Sequence, residues 1–553
     1  MKTKINYNSI IYFFFLIYFI IGLLIFRDYG VGIEEHFHRQ NGFYWLNYFF
    51  SNSGLHNFKE LINLKYNLIL KNNPSLPDPD FFNFYGIVFD LPLAFIETLF
   101  RIESSKLYFE LRHFFSYLIF FTSSIFFYKI IKDRFSNKLI ILLGLFFYIA
   151  SPRIFGDSFY NNKDILFLSL LVIAIHYLFQ LFKNHNYKSL ILFCLFSALA
   201  SSSRIMGIYL PFFAIIFYFL EFLIKNYNFQ KFIFISFQIL FFFIFFLYLH
   251  YPYIWELSLF NFGSWFNKFF YWMDINVLFN GEYYSIKYLP RSYLPVWILI
   301  SIPLSITVPI LFGIYFSGKI IFKRIINLND HIKNRKGDLW KSINEKKDFF
   351  VFVSFFSFFF YAVFLNVAML SGWRHFYFLH FFLIYFSILG LDNIYKFLIK
   401  KFNIKMIYIV SLIIFTNIIY TNIQFHPFQS LYFLNLLGAK KINNFQIDAP
   451  SLSRYHALNF ILELENKINK KIYIANASWT PMHNGKDMLD NKFKDKFIFV
   501  GQNYSQADYI YNNYIYKDDE KYNKNYNVPD NFLKIRDYKI NNMLIYTVFK
   551  RKI

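Results

Sequence analysis

Long apolar runs separated by short polar breaks divide this chain from end to end, and no other feature restricts its fold as much. Windows of about 20 residues, the length that crosses a bilayer as a helix, place spans near 9–27, 113–131, 138–151, 164–182, 189–203, 207–224, 231–250, 294–318, 349–370, 375–395 and 405–423. The windows at 138–151 and 189–203 are short. Runs such as "FQILFFFIFFLYLHY" lack the polar face that a surface helix of a soluble domain carries. Composition agrees. Of 553 residues, 56% are hydrophobic, 25% aromatic and 16% charged, where soluble chains are about a quarter charged. The expected fold class is an all-α polytopic membrane protein with about eleven spanning helices.

The breaks sort by charge. "MKTK", "KIIKDRFSNK", "FKNHNYKS", "IKNYNFQK", "FKRIINLNDHIKNRKGDLWKSINEKKD" and "YKFLIKKFNIK" are rich in Lys and Arg. When the spans alternate, all six fall on one side, which the positive-inside rule makes cytoplasmic. The C-terminus is then outside. The net charge of +23 is explained by these loops. No basic patch lies elsewhere, so nucleic-acid binding is not expected. The N-terminal basic start and apolar run, with no small-x-small cleavage site after it, read as an uncleaved anchor. Cys194, the single cysteine, sits in an apolar run and leaves no disulfide, CxxC or iron–sulfur site within one chain.

The remaining breaks carry most of the polar residues that are not simply Lys-rich. They are a first loop of about 28–112, the turn "SPRIFGDSFYNNKD", "SSSRIMG", a loop at 251–293, "SGWRH" and a tail. Within the first loop, "PDPDFFNFYGIVFDLPLAFIETLFRIE" has helical spacing but too many acids for a span, and is expected to lie in the interface. Residues 1–424 thus read as the membrane module and 425–553 as an extracytoplasmic tail. From about 445 the tail turns polar. "SRYHALNFILELENKINKK" reads as a helix, and "IYIANA", "KFIFVG", "DYIYNNYIY" and "NMLIYTVFK" as strands of a small α/β domain. No Walker, GxSxG, HExxH or Rossmann pattern is present.

Three constellations carry chemistry. In "RDYGVGIEEHFHRQNG", Glu34 and Glu35 follow Gly30 and Gly32 just beyond the first span. Carboxylates beside an apolar wall can have raised pKa values, and one can act as general base toward a hydroxyl. The alternative is a solvated boundary loop. His36 and His38, with Glu35, offer a weak divalent-metal option; no cofactor is otherwise required. In "SPRIFGDSFYNNKD", Arg153, Asp157, Lys163 and Asp164 share one turn, where cations suit a phosphate; snorkelling anchors paired with the acids are the alternative. In "SGWRHFYFLHF", Arg374 and His375 stand where a span re-enters the membrane, with Arg204 of "SSSRIMG" similarly placed. An interfacial aromatic belt is the plain reading of that stretch. Trp255, Glu256, Trp272, Asp274 and Glu282 add an aromatic and acidic mixture of the sort that contacts sugars.

Together these strings resemble the GT-C membrane glycosyltransferases, nearest to family 39 with its protein O-mannosyltransferases and aminoarabinose-transferase-like bacterial relatives. "IEEHFHRQNG" is similar to the family's D-E-x-x-x-R-x-x-G. "SPRIFGDSFYNNKD" is similar to S-P-R-x-x-x-x-S-F-Y-N-x-K-D. "GWRHFYF" and "HPFQSLYFLNLL", from His426 to Leu437 with one extra Leu, resemble G-W-R-H and H-P-Y-Q-x-x-Y-F-N. The resemblance covers most of residues 9–450. It implies inverting sugar transfer from a polyprenyl-phosphate donor to an acceptor hydroxyl on a glycan, lipid or protein, at the outer face of a bacterial inner (plasma) membrane. It puts the base on Glu34 and the placement of the acceptor or the base on Glu35, although relatives usually carry Asp at the first position. Arg153, Lys163, Arg204 and Arg374 are the expected donor-phosphate ligands. His36, Arg39, Asp157, Asp164 and His375 are the expected acceptor or sugar contacts. A transporter or flippase of lipid-linked sugars would show mid-span charges and two matching halves, which are not evident; a non-catalytic scaffold is the other alternative.

Overall fold

The computed structural model describes residues 7–552 except 52, 74–75, 79–83, 225–226, 257–274, 332–338, 366, 435–441, 466–469, 517–518 and 520–525. Helices are α1 (Tyr7–Ile25), α2 (Glu35–Phe50), α3 (His56–Asn72), α4 (Asp90–Leu99), α5 (Ser105–Arg134), α6 (Lys138–Ala150), α7 (Pro152–Tyr160), α8 (Asp164–Asn184), α9 (Tyr187–Ser203), α10 (Tyr209–Leu223), α11 (Phe229–His250), α12 (Tyr293–Ser301), α13 (Leu304–His331), α14 (Ile343–Phe364), α15 (Leu379–Lys401), α16 (Ile404–Phe425), α17 (Ser453–Leu464) and α18 (Asn491–Lys494).

All eleven apolar windows are helical, but their lengths differ from the expectation of about eleven spans. Among the described residues, nine helices are long and apolar enough to cross a membrane, and α6 with α7 makes a tenth if that pair, bent by 52°, counts as one span. Helix α6 is cut to 13 residues because Pro152 begins a new helix in a new direction. Helix α9 stops at 17 residues, where Arg204 takes an extended backbone. Pro303 likewise separates α12 from α13 within one window.

Burial follows from where each helix sits. Among the candidate spans α8 is the most enclosed, with 83% of its apolar window buried, whereas α11 has 22%. On α11, Phe234, Phe237, Phe241 and Phe245 all face outward, which suits contact with lipid. Helices α13 and α15 cross at backbone contact. A Cβ on Gly313 would lie 1.8 Å from the Phe386 carbonyl oxygen, and one on Gly390 2.0 Å from that of Pro309. Small residues at a crossing allow the close van der Waals packing that drives helix association in lipid.

Ion pairs tie the helix ends together at the basic-loop end. Asp133 takes both Lys183, at 2.8 Å, and Lys347. Arg134 binds Asp348 through two bonds of 3.0 and 2.7 Å. Lys346 meets Glu221 at 2.6 Å and Arg324 meets Glu345 at 2.9 Å. The other end carries the first loop, the turn at 151–164, the 371–376 turn and the tail.

The first loop is more helical than its sequence suggests. It holds α2, α3 and α4, and two of its acids are buried in ion pairs: Asp90 pairs with Arg112, and Glu97 with Arg39 and Lys65. Of the expected interfacial helix, residues 90–99 are helical and residues 79–83 lie outside the described ones. A hairpin, β1 (Asn276–Phe279) with β2 (Glu282–Ser285), lies between α11 and α12. The tail forms a five-stranded sheet from β3 (Ile472–Asn476), β4 (Phe497–Phe499), β5 (Tyr509–Asn512), β6 (Phe532–Ile540) and β7 (Met543–Arg551), in the order β4-β3-β5-β7-β6. The first three are parallel and the last pairings antiparallel. Asn541 and Asn542, both with positive φ, make the tight turn between β6 and β7.

Candidate active site

Separate stretches of chain meet at the loop-and-tail end. The first is the loop leaving α1, whose backbone is fastened by the tail. The Ile33 amide donates to the Pro450 carbonyl at 3.1 Å. The guanidinium of Arg454, at the start of α17 and fully buried, donates to the carbonyls of Val31, Pro481 and Ser451, each at 2.8 Å. The His-Pro-Phe-Gln string holds the preceding residues: His426 meets Asp28 at 2.9 Å, and the Tyr29 hydroxyl donates to Gln429 at 3.0 Å.

This clamp presents Glu34 at the N-cap of α2. Its carboxylate pairs with Arg374, yet its side chain keeps 39% of its surface exposed. Burial alone would push the Glu34 carboxyl up, but Arg374, Lys163 and His38 outweigh it and hold the group below the usual carboxylate range. Arg374 is aimed by the turn before it, in which Ser371 and Gly372 both have left-handed φ.

The remaining cations come from three other breaks. Arg204, just past the end of α9, pairs with Asp164 at the start of α8. Lys163 lies over the Tyr85 ring at 3.4 Å; burial, then Arg204 beside it, pushes its ammonium well below the usual lysine value. Arg153, on α7, stacks over Trp297 and Phe433 and donates to the Tyr432 carbonyl at 3.3 Å. Arg153, Arg204 and Arg374 each keep a buried Nε–H without a hydrogen-bond partner. A buried, unpartnered charged donor is costly; Arg112 and Arg324 each carry one as well. A cavity of about 30 Å³ runs between Arg153, Arg374, Asp157, Tyr377 and Asp448. Asp157 accepts from Tyr377 at 2.8 Å and Asn161 at 3.3 Å. His375 is buried near the cluster, and burial, with Arg204 and Arg374, pushes its imidazole down to about 3, so it is neutral.

Other expected site residues point elsewhere. Glu35 borders the same small cleft as Glu34, but one of its oxygens is occupied by the Gly32 amide at 2.7 Å and His113 at 3.1 Å. His36 faces the tail and meets Asp487 at 2.7 Å. Arg39 is spent on Glu97, at 3.0 and 2.6 Å, under the Tyr108 ring. His38 pairs with Asp90 at 3.4 Å. These two histidines and Glu35 diverge, and among the described residues no three His, Cys, Asp or Glu side chains converge as a metal site would require. Trp255 donates to the Tyr248 carbonyl at 2.5 Å and Glu282 takes the Tyr284 hydroxyl. Glu256 ends a short turn, and Trp272 and Asp274 lie outside the described residues. Sequence reasoning missed Tyr85, Tyr377, Asp448 and Arg454. Only Tyr377 had a local signal, being three residues past Arg374.

Residues 93–251 match the family model of the dolichyl-phosphate-mannose-protein mannosyltransferases. That match and the sequence strings fall in one class of protein, the GT-C membrane glycosyltransferases. Among solved structures, the chain is similar to ArnT from Cupriavidus metallidurans in the apo state, with 9% identity and a TM-score of 0.40, covering 84% of this chain and 87% of that one. The same protein bound to undecaprenyl phosphate gives 10% identity and a TM-score of 0.39 over the same shares. No curated protein matches the chain.

Proposed function

We propose that this glycosyltransferase moves a sugar from a polyprenyl-phosphate carrier to an acceptor hydroxyl, with inversion at the anomeric carbon and Glu34 as base. One observation carries the reading: Arg153 and Lys163 have no carboxylate within ion-pair distance among the described residues, while the neighbouring Arg374 is held by a Glu34 that stays partly exposed. The name of the matched family contains such a donor, dolichyl phosphate mannose, and supports the carrier. The basic loops at the opposite end support a site on the outer, extracytoplasmic face, with the N-terminus cytoplasmic.

The chemistry follows from the charges. The acceptor oxygen attacks the anomeric carbon as the bond to the phosphate oxygen breaks, and that electron pair leaves with the phosphate. Negative charge develops there, and preorganised guanidinium donors are suited to hold it. An arriving phosphate also supplies the counter-charge that keeps Lys163 protonated. As it engages Arg374, that arginine is shared between phosphate and Glu34. The carboxylate becomes more basic just as the acceptor must lose its proton. Glu35, tied to the Gly32 amide and His113, keeps the loop in shape rather than taking the proton.

Sugar transfer from a panel of polyprenyl-phosphate sugars, with membrane extract as acceptor, tests this. Glu34→Gln is expected to lose about 10²–10⁴-fold in rate. Glu35→Gln is expected to lose less. Full activity in Glu34→Gln removes the base from this account.

A further inference from the structure

A second pocket opens beside the cation cluster, between the β1–β2 hairpin and the tail sheet. Its volume is about 280 Å³, near the lower end of small-ligand sites, which hold about 300–1,000 Å³. Its chemistry is the reverse of the first. The cluster is cationic; this pocket is lined by tyrosines, amides and aliphatic side chains, with no charged residue among them.

The walls are built firmly. The strand-like segment 444–446 zips onto the hairpin, with the Gly281 amide on the Asn444 carbonyl at 2.8 Å and the Gln446 amide on that of Leu278 at 3.1 Å. Phe445 locks this segment against Phe279, Trp297 and Phe433. On the tail side, Tyr514 and Tyr516 both line the pocket with left-handed φ values of 63° and 59°. Such backbone is uncommon for large side chains and collects at ligand clamps. The Tyr514 hydroxyl is fixed on Thr547 at 2.7 Å.

The two cavities are neighbours. Gln446 lines both. Asn513 of this pocket donates to Asp448 of the other at 3.3 Å. A neutral, aromatic and amide-lined chamber beside the cation cluster suits one class of ligand. Tyrosine faces cover apolar C–H surfaces, while amide groups both donate to and accept from hydroxyls.

Building on the glycosyl-transfer reading above, we propose that this pocket binds a neutral sugar unit of the acceptor, so that the hairpin and the tail sheet together select what is glycosylated. The test uses full-length protein in nanodiscs with methyl mannoside, methyl glucoside and methyl N-acetylglucosaminide, each read by saturation-transfer NMR. Undecaprenyl phosphate binding is measured on the same samples. At least one glycoside is expected to receive saturation. Asn443→Trp, at an exposed position that would fill the pocket, and Tyr283→Ala, which removes a ring, are each expected to cut that signal by about fivefold or more. Both variants should bind undecaprenyl phosphate as wild type does, which shows that they are folded. Undecaprenyl phosphate binding without glycoside saturation, or saturation unchanged in both variants, overturns the pocket alone. Loss of both ligands in the wild-type protein overturns the pocket and the transfer reading together.

Discussion

At the basic-loop end of the bundle, Lys183, Lys346, Lys347, Arg134 and Arg324 each meet a carboxylate. At the loop-and-tail end, Arg153 and Lys163 have no carboxylate within ion-pair distance among the described residues. Buried Nε–H groups without a hydrogen-bond partner occur at both ends, on Arg153, Arg204 and Arg374 here and on Arg324 there. Similar residue types serve opposite ends. Lys346–Glu221 has side chains only 1% and 8% exposed and is closed on itself, so it fastens helices. Glu34–Arg374 leaves Glu34 open to the cleft, so an incoming phosphate can compete for the arginine. Charge near a membrane surface is thus not informative by itself; what distinguishes this end is Arg153 and Lys163 standing without a carboxylate beside a Glu34 that stays open to the cleft.

The sharpest way to break the comparison is to treat the two ends alike. Lys346→Met removes the ammonium that meets the buried Glu221 and is expected to cost about 3–5 kcal/mol of stability, read as a lowered unfolding midpoint. Substrate affinity should be unchanged in protein that remains folded. If instead Lys346→Met left stability intact while weakening donor affinity, the division of labour between the ends would be wrong.

A smaller effect concerns protons. Glu34 is held below its ordinary range by Arg374, Lys163 and His38 against the opposing effect of burial. The active form is the carboxylate, so activity is present above the folded pKa and is lost as pH falls through it. The acid limb of kcat/KM should therefore lie below the ordinary glutamate value of about 4.3. Arg374→Gln removes the main lowering charge and should move that limb upward. An acid limb that is unmoved in this variant would mean that another group titrates.

Much of this was legible in the sequence for a physical reason. Lipid imposes length and apolarity on every span, so all eleven windows became helices, and the two flagged as short fall below span length, whereas α10 reaches it with the 3-10 turn Ile205–Ile208 before it. Arg153, Lys163, Arg204, Arg374 and Glu34 were readable because each stands beside a break between apolar runs. Helices α2 and α3 were not. Their polar residues are satisfied by distant partners, such as Arg39 with Glu97 and His36 with Asp487, which no local periodicity records. The strand β6, "FLKIRDYKI", was missed because it is an edge strand with largely exposed side chains, so its charges mask the alternation. Arg454 looked like one polar residue of an amphipathic helix. Its importance comes from the carbonyl of Val31, far back in the chain.

The measurement closest to the central claim is the affinity for undecaprenyl phosphate of full-length protein in nanodiscs, compared across Arg153→Gln, Arg204→Gln, Arg374→Gln and Lys346→Met. The account predicts that each arginine variant weakens binding by about 10–100-fold and that Lys346→Met binds as the wild type does. Arginine variants that bind undecaprenyl phosphate as tightly as the wild type would contradict it.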